Sequence, residues 1–465
     1  MKLPIVLAAL IGPVAFCSAH VSASEAEAAV CRPQDRGAAP NDNAEDTAAI
    51  QAAIDACAGI NGVVSLSPGV WRTGGLTLGS DLVFRLEAGA ELRLIPEIGK
   101  YIALNPDAGE GDRRYVALHA PHAKNLRIEG PGAINGSGPD FWDENFYALG
   151  IPRPTRPRPG PVIELADCKH VVVDSLRMEN LPAYAIRFHR CFHGEAKRVV
   201  IHNDPRSPNT DGIQIRDSAD ITIRGADIAT GDDAIVLKSG ARAVERIKVE
   251  DSRLMSDDAA LKFGTGSRHG VKDSVFRNIT VEDSRYGVAI FAIDGGVHER
   301  NLFEGLKIET GGRHARTYPI FVDVDRREAD RGWGGVSGLT FRDIEIASAG
   351  ASLIAGNPKG PVSGLRLENI SIARRGQTEA LNRAGKPRGN VTIKAQSESV
   401  DYSRENAELV LAHIRDLTIL DVKPPPCNDL SGRRIVAAID IAIAKGSDRI
   451  DDVSCSGAES QRRQN

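Results

Sequence analysis

Two short acidic runs stand out in this 465-residue chain: Asn209-Thr210-Asp211 and Gly231-Asp232-Asp233. Asp211 and Asp233 are 22 residues apart, and each opens an alternating stretch, Asp211-Gly-Ile-Gln-Ile and Asp233-Ala-Ile-Val-Leu. A repeat of that length is one coil of a solenoid. Stacked as parallel strands, the two backbones would lie about 4.8 Å apart with both side chains on one face, and Asp232 would join them from the turn. Three carboxylates held so close cannot all ionise, so the group keeps at least one proton near neutral pH. A retained proton beside a free carboxylate separates an acid from a base. Aspartate also serves simply to turn a chain at solenoid corners, and Asp257-Asp258, one coil further on, is expected to be such a corner.

The elements that must position these residues are legible in the pattern around them. From Gly62 onward, short apolar alternations are broken by Gly, Asn and Asp, among them Val63–Leu66, Leu82–Leu86, Leu126–Ile128, Val171–Val173, Ile221–Ile223, Ile247–Val249, Leu306–Ile308 and Leu417–Ile419. Equivalent runs recur at about 22 to 30 residues, which predicts a parallel β-helix rather than a sandwich. Asp46–Ala58 has Ala, Ile and Cys at helical spacing with Asp46 placed to cap the first turn, and a helix there would cover the open end of the solenoid. Such a fold grows by adding coils, so one domain is expected over 24–455, with 456–465 a disordered tail.

The two acidic motifs together resemble glycoside hydrolase family 28, the polygalacturonase group, over about Ala44 to Ile346, and Lys238-Ser239-Gly240 follows them as in that family. The resemblance implies a single-stranded right-handed parallel β-helix with an N-terminal capping helix, all-β in class. It also implies a glycosidase acting on a polysaccharide or oligosaccharide, with Asp232 as general acid and Asp211 and Asp233 holding and activating water. Carboxyls about 5 Å apart ordinarily signal retention of configuration, whereas the family inverts; inversion is the expectation, since two aspartates can share one water from the same side. A lyase or epimerase on the same fold would need an Arg, Lys or Tyr base or calcium, and a non-catalytic sugar-binding solenoid would tolerate Asp232→Asn; the aspartate set favours hydrolysis. No metal or other cofactor is expected.

The family's Gly-His-Gly and Arg-Ile-Lys segments are replaced here by Asp258–Gly264 and Ala289-Ile290-Phe291. Candidate substrate contacts are therefore Asn209 from the first motif, Lys238, Lys262, Arg268, His269 and Asp294, with Lys238 and Lys262 aligned a coil apart as a lysine column. Ile134–Trp142 matches a further family segment and should be a turn with aromatic packing. Pro152–Pro161 should be a stiff surface loop from which Arg153, Arg156 and Arg158 either reach an acidic polymer or simply face solvent.

Residues 1–23, with Lys2, an apolar run and small residues before Ala19 and Ala23, read as a secretory signal, so a secreted or periplasmic location is expected. Six cysteines remain after it: Cys31, Cys57, Cys168, Cys191, Cys427 and Cys455. Nearest neighbours are the expected disulfide partners, with buried thiols the alternative for Cys168 and Cys191. A formal net charge of −4 argues against a nucleic-acid partner, and no later stretch is apolar for long enough to span a membrane. A monomer is expected.

Overall fold

The computed structural model describes Met1, Pro425 and residues 28–105, 114–148, 151–154, 157–311, 317–328, 330–375, 407–423 and 434–450. The proposed signal from residue 2 onward, the tail, Cys427 and Cys455 lie outside them, as do the side chains of Arg153 and Arg156.

Each apolar alternation forms a strand that cannot bury its inner side chains alone, so it pairs in parallel with the equivalent strand one coil away. Among the described residues 35 strands join in this way into one continuous sheet, wound as a parallel β-helix. The turns explain the Asn, Asp and Gly that punctuate the sequence. Asp251, Asn278, Gly305, Asp343 and Asn369 all have left-handed φ, between 50° and 66°, at one stacked corner. Only glycine, asparagine and aspartate adopt that conformation at low cost. Their amides and carboxylates bond along the column, Asn278 to Asp251 at 3.1 Å and Asn369 to Asp343 at 2.6 Å.

Side chains stack inside as they do in the corners. Phe276, Phe303 and Phe341 are fully buried, with ring centroids 4.5 and 5.0 Å apart in successive pairs. Offset aromatic stacks of this kind add to plain area burial. The segment Ile134–Trp142 is the expected aromatic turn: Phe141 and Trp142 are buried, and the Trp142 indole donates to the Pro182 carbonyl at 3.3 Å.

One helix, α1 (Thr47–Cys57), buries Ile50, Ala53, Ile54 and Cys57 against the first strands. Asp46 precedes it but does not cap it as expected. Its carboxylate instead accepts the Arg72 amide at 2.9 Å, which stitches the helix start to a strand. The Cys31–Cys57 disulfide ties the other end of α1 to the first strand across 26 residues, a loop whose closure contributes roughly 3 to 4 kcal/mol in the chain-entropy account. Cys168 and Cys191 do stack one coil apart, but as buried thiols, donating to the carbonyls of Ala120 at 3.0 Å and Leu165 at 3.1 Å. Among the described residues no helix is long and apolar enough to cross a membrane.

The sheet that matters for chemistry, called here the front sheet, contains Leu118–Pro121, Ile163–Ala166, Ile186–His189, Ile213–Arg216, Ile235–Lys238, Ala259–Phe263, Tyr286–Ala292, Tyr318–Val324 and Ser352–Ala355 in parallel register.

Candidate active site

The acidic motifs occupy the turns that lead into the front sheet. Ile213 pairs with Ile235, which places Asp211 level with Asp233 one coil later, as the 22-residue period predicts. The turn between coils is built around close approach: a Cβ on Gly231 would fall 2.1 Å from the Ser207 carbonyl oxygen, so no larger residue fits. The hydroxyls of Thr230 and Ser256 donate to the Asp232 carbonyl at 2.6 and 2.7 Å, and the Asp232 carboxylate accepts its neighbour's amide at 3.0 Å. Asp232 is thereby fixed while remaining half-exposed, whereas Asp211 and Asp233 are buried.

Asp258 joins this group rather than serving only as a corner. Carboxylate oxygens of Asp232, Asp233 and Asp258 lie within 4.8 Å of one another. Lys262 Nζ sits among them, 2.9 Å from Asp233 and 2.8 Å from Asp258, and Arg285 approaches Asp258 at 3.3 Å. Burial, reinforced by the charge of Asp232, pushes the Asp211 carboxyl up to about 7. Burial and the Asp258 charge raise Asp232, and burial raises Asp233 strongly despite Lys262. Asp258 goes the other way: burial would raise it, but Lys262 and Arg285 outweigh that and hold it at about 2. Lys262 stays charged, because its carboxylate partners overcome the cost of burial. The cluster thus holds protonated and ionised carboxyls side by side.

Asn209 is exposed, has a left-handed φ of 53°, and donates to Asp232 at 3.2 Å. Its side-chain oxygen accepts from Arg158 at 2.8 Å, and Arg158 also donates to the carbonyls of Pro182 and Pro208. The proline-rich segment therefore reaches the site through Arg158. The other expected contacts are distributed differently. Lys238 and Lys262 do not share a column: Val236 pairs with Lys262, while Lys238 stands above Arg216 and His189. The strands pair with an offset of 26 residues whereas the two lysines are 24 apart, so they fall two positions out of register. Arg268 and His269 are exposed on the turn after Phe263, at the opposite end of the strand from the aspartates. Asp294 is buried, accepting the Gly266 amide at 2.6 Å and pairing with Arg327 at 2.7 Å, so it braces a turn instead of facing the aspartates.

Several residues near the site escaped the sequence reading. Tyr184 stands one coil before Asp211, and Arg187, His189 and Arg190 follow it on the same coil, with Glu164 one coil earlier level with Arg187. Arg187 and His189 both bond Glu164, the histidine at 3.2 Å through Nδ1, and Arg190 lies 2.7 Å from His189 Nε2. Arginine has no acceptor, so Nε2 must accept and Nδ1 must carry the proton donated to Glu164. Glu164 on one coil and Arg187, His189 and Arg190 on the next carry no motif; only the coil register brings them together.

A turn-borne aspartate cluster on a parallel β-helix is the arrangement of a class of carbohydrate-active proteins, and similarity places this chain within it. Residues 103–386 match the model of glycosyl hydrolases family 28, and the chain belongs to that family. It is 27% identical over 323 residues to polygalacturonase-2 of Solanum lycopersicum, covering 66% of this chain and 65% of that protein. It is 23% identical over 402 residues to the endo-polygalacturonase of Pectobacterium carotovorum subsp. carotovorum, covering 80% of this chain and 94% of that one. The match to the polygalacturonase of Malus domestica spans 41% of that protein's length. In structure the chain is similar to the family 28 exopolygalacturonase of Yersinia enterocolitica, with TM-score 0.64, 14% identity and coverage of 91% of this chain and 79% of that one.

Proposed function

We propose that the protein is an exported glycoside hydrolase that cleaves glycosidic bonds of a pectin-like or other acidic polysaccharide with inversion. The observation that carries this reading is Asp211 level with Asp233 and within reach of the charge of Asp232 on the turns that lead into the front sheet, in a chain of family 28. Asp232 is the half-exposed member, restrained by Asn209, and it acts as the general acid that protonates the leaving oxygen. Asp211 and Asp233 hold the attacking water between them and accept its proton. The relatives named polygalacturonase support an acidic sugar as substrate. So does the row of His189, Arg216 and Lys238 at the far end of the same front-sheet strands, in which Arg216 is 40% exposed. The test is a panel of polygalacturonate, rhamnogalacturonan and other uronic acid polymers scored for new reducing ends against Asp232→Asn. Release of reducing ends by the wild type alone supports the proposal; an unsaturated product absorbing in the ultraviolet replaces it with a lyase.

A further inference from the structure

The lysine inside the aspartate cluster is placed like a counter-ion and not like a substrate contact. Two of the three N–H donors of Lys262 are spent on Asp233 and Asp258, at 2.9 and 2.8 Å, and its side chain is only 14% exposed. The ammonium also lies 5.6 Å from the centroid of the Phe291 ring. Its register neighbours, Val236 before and Ala289 after, are uncharged. The ionisable groups that face it are Asp232 and Asp233 from the preceding coil, Asp258 from the turn that leads into its own strand, and Arg285 and Tyr286 from the next coil, with Asp211 and Lys238 behind them. Four carboxyls therefore meet three cations, Lys238, Lys262 and Arg285. The excess is one, and a single retained proton makes the cluster neutral.

We propose that Lys262 is a positioning residue: clamped between Asp233 and Asp258, its ammonium supplies in covalent form the positive charge that a divalent cation would otherwise have to bring to Asp232, Asp233 and Asp258, and so sets the number of protons on the cluster. The proposal builds on the reading of these aspartates as acid and base. Its physical content can be measured without activity, because an acidic pocket stripped of its built-in cation should accept one from solution.

Lys262→Met leaves an excess of two negative charges, so the variant takes up either a second proton or a metal. Calcium or manganese should raise the melting temperature of Lys262→Met and leave that of the wild type unchanged. In turnover, the acidic limb of the pH–rate profile should move upward by about 1 to 3 pH units, the range in which a close opposite charge shifts a carboxylate. Lys262→Arg, which keeps the charge, should hold the limb in place. Asp258→Asn/Lys262→Met removes one charge of each sign, restores the excess of one, and should bring the limb back toward the wild type; it also serves if the single variant does not fold. Equal calcium responses in wild type and Lys262→Met overturn the proposal. So does a Lys262→Met enzyme whose KM rises while its pH profile is unmoved, the signature of a direct substrate contact. If no acidic polymer is cleaved by the wild type, the functional reading fails, and the calcium experiment still decides the role of Lys262.

Discussion

The outer surface of the front sheet changes character along the solenoid, and a single register column records the change. Reading outward-facing residues coil by coil gives His119, Glu164, Arg187, Gln214, Val236, Lys262, Ala289, Phe321, Leu353 and Val410. Up to Lys262 the column is mostly polar or charged, and the neighbouring column of His189, Arg216 and Lys238 is partly open to solvent. Beyond it, Phe291, Phe321, Leu353 and Val410 are 3–7% exposed and pack with Tyr286 and Ala289 into a second apolar cluster outside the main core. One backbone geometry thus carries two surfaces, a polar one beside the aspartate cluster over the earlier coils and an apolar one over the later. Lys262 marks the border, its ammonium on the aspartates and its flank near the Phe291 ring. Catalytic machinery in a solenoid needs only the few coils whose turns bring its residues level; the rest supply a rigid support.

Substitutions on either side of the border should separate the two roles, and the largest effect belongs to the reactive side. Asp232→Asn should lower kcat by about 10²- to 10⁴-fold, the contribution of a positioned acid or base, with no loss in melting temperature. Reducing-end assays and thermal melts measure the two quantities. On the structural side, Phe321→Ala should cost about 3 to 5 kcal/mol of stability, as for other buried aromatic truncations, because its ring meets Tyr286, Phe291 and Tyr318 with centroids 5.1–5.3 Å away. Denaturant titration gives that number, and KM for the cleaved polymer should be unchanged. A raised KM would mean that the later coils also touch substrate, and the division would be wrong.

A smaller effect is expected from the open cationic column. Arg216 is 40% exposed, with a loose 3.6 Å approach to Asp217. Arg216→Ala should raise KM for an acidic polymer by about 10-fold, the scale of one charge-assisted hydrogen bond, and leave stability unaltered. The difference between variant and wild type should shrink at high salt, since the interaction is solvent-exposed.

What the sequence could and could not reveal follows the same geometry. The 22-residue interval between Asp211 and Asp233 translated directly into a shared level because strands of equal length pair without offset, Ile213 with Ile235. The corners were readable where Asn, Asp or Gly takes the left-handed φ, and not where Arg190, Arg246 or His170 does. Lys262 was visible only as a lysine near the site. Its true partners depend on where Asp258 falls in a coil that runs 26 residues after Asp232, and on a register that puts Val236, not Lys238, beneath it. Glu164, Arg187 and His189 come from two coils with no motif between them, so nothing local marks them. Asp294 sat in a suggestive Ile-Asp-Gly-Gly run, yet its side chain turns inward to Arg327, a choice made by packing that spacing does not encode.

The smallest effect concerns pH and stability, and Asp211 and Asp258 carry parts of it with opposite sign. Asp211 has a folded value of about 7 against an ordinary 3.8, so the native state binds that proton more tightly than the unfolded chain does. This contribution favours the fold fully below about pH 4 and is lost as pH rises through about 7. Asp258 has the opposite sign: held at about 2, it contributes stability above its ordinary 3.8 that is lost as pH falls toward 2. Between these windows, near pH 4 to 5, both terms are favourable. His298, buried and held at about 4, works against the Asp211 term as pH rises toward its ordinary 6.5, so the Asp211 part is read as the difference in melting temperature from Asp211→Asn, a few degrees between pH 4 and 8 at roughly 2 °C per kcal/mol for a chain of this size or less. Asp211→Asn mimics the protonated form at every pH, so it should lose less melting temperature than the wild type as pH rises through 7, while turnover is abolished. A carboxylate that destabilises the fold when charged and yet is required for turnover is held there by chemistry and not by architecture. No such trade should appear at Phe321, where the same measurements would show stability lost at all pH values and catalysis intact.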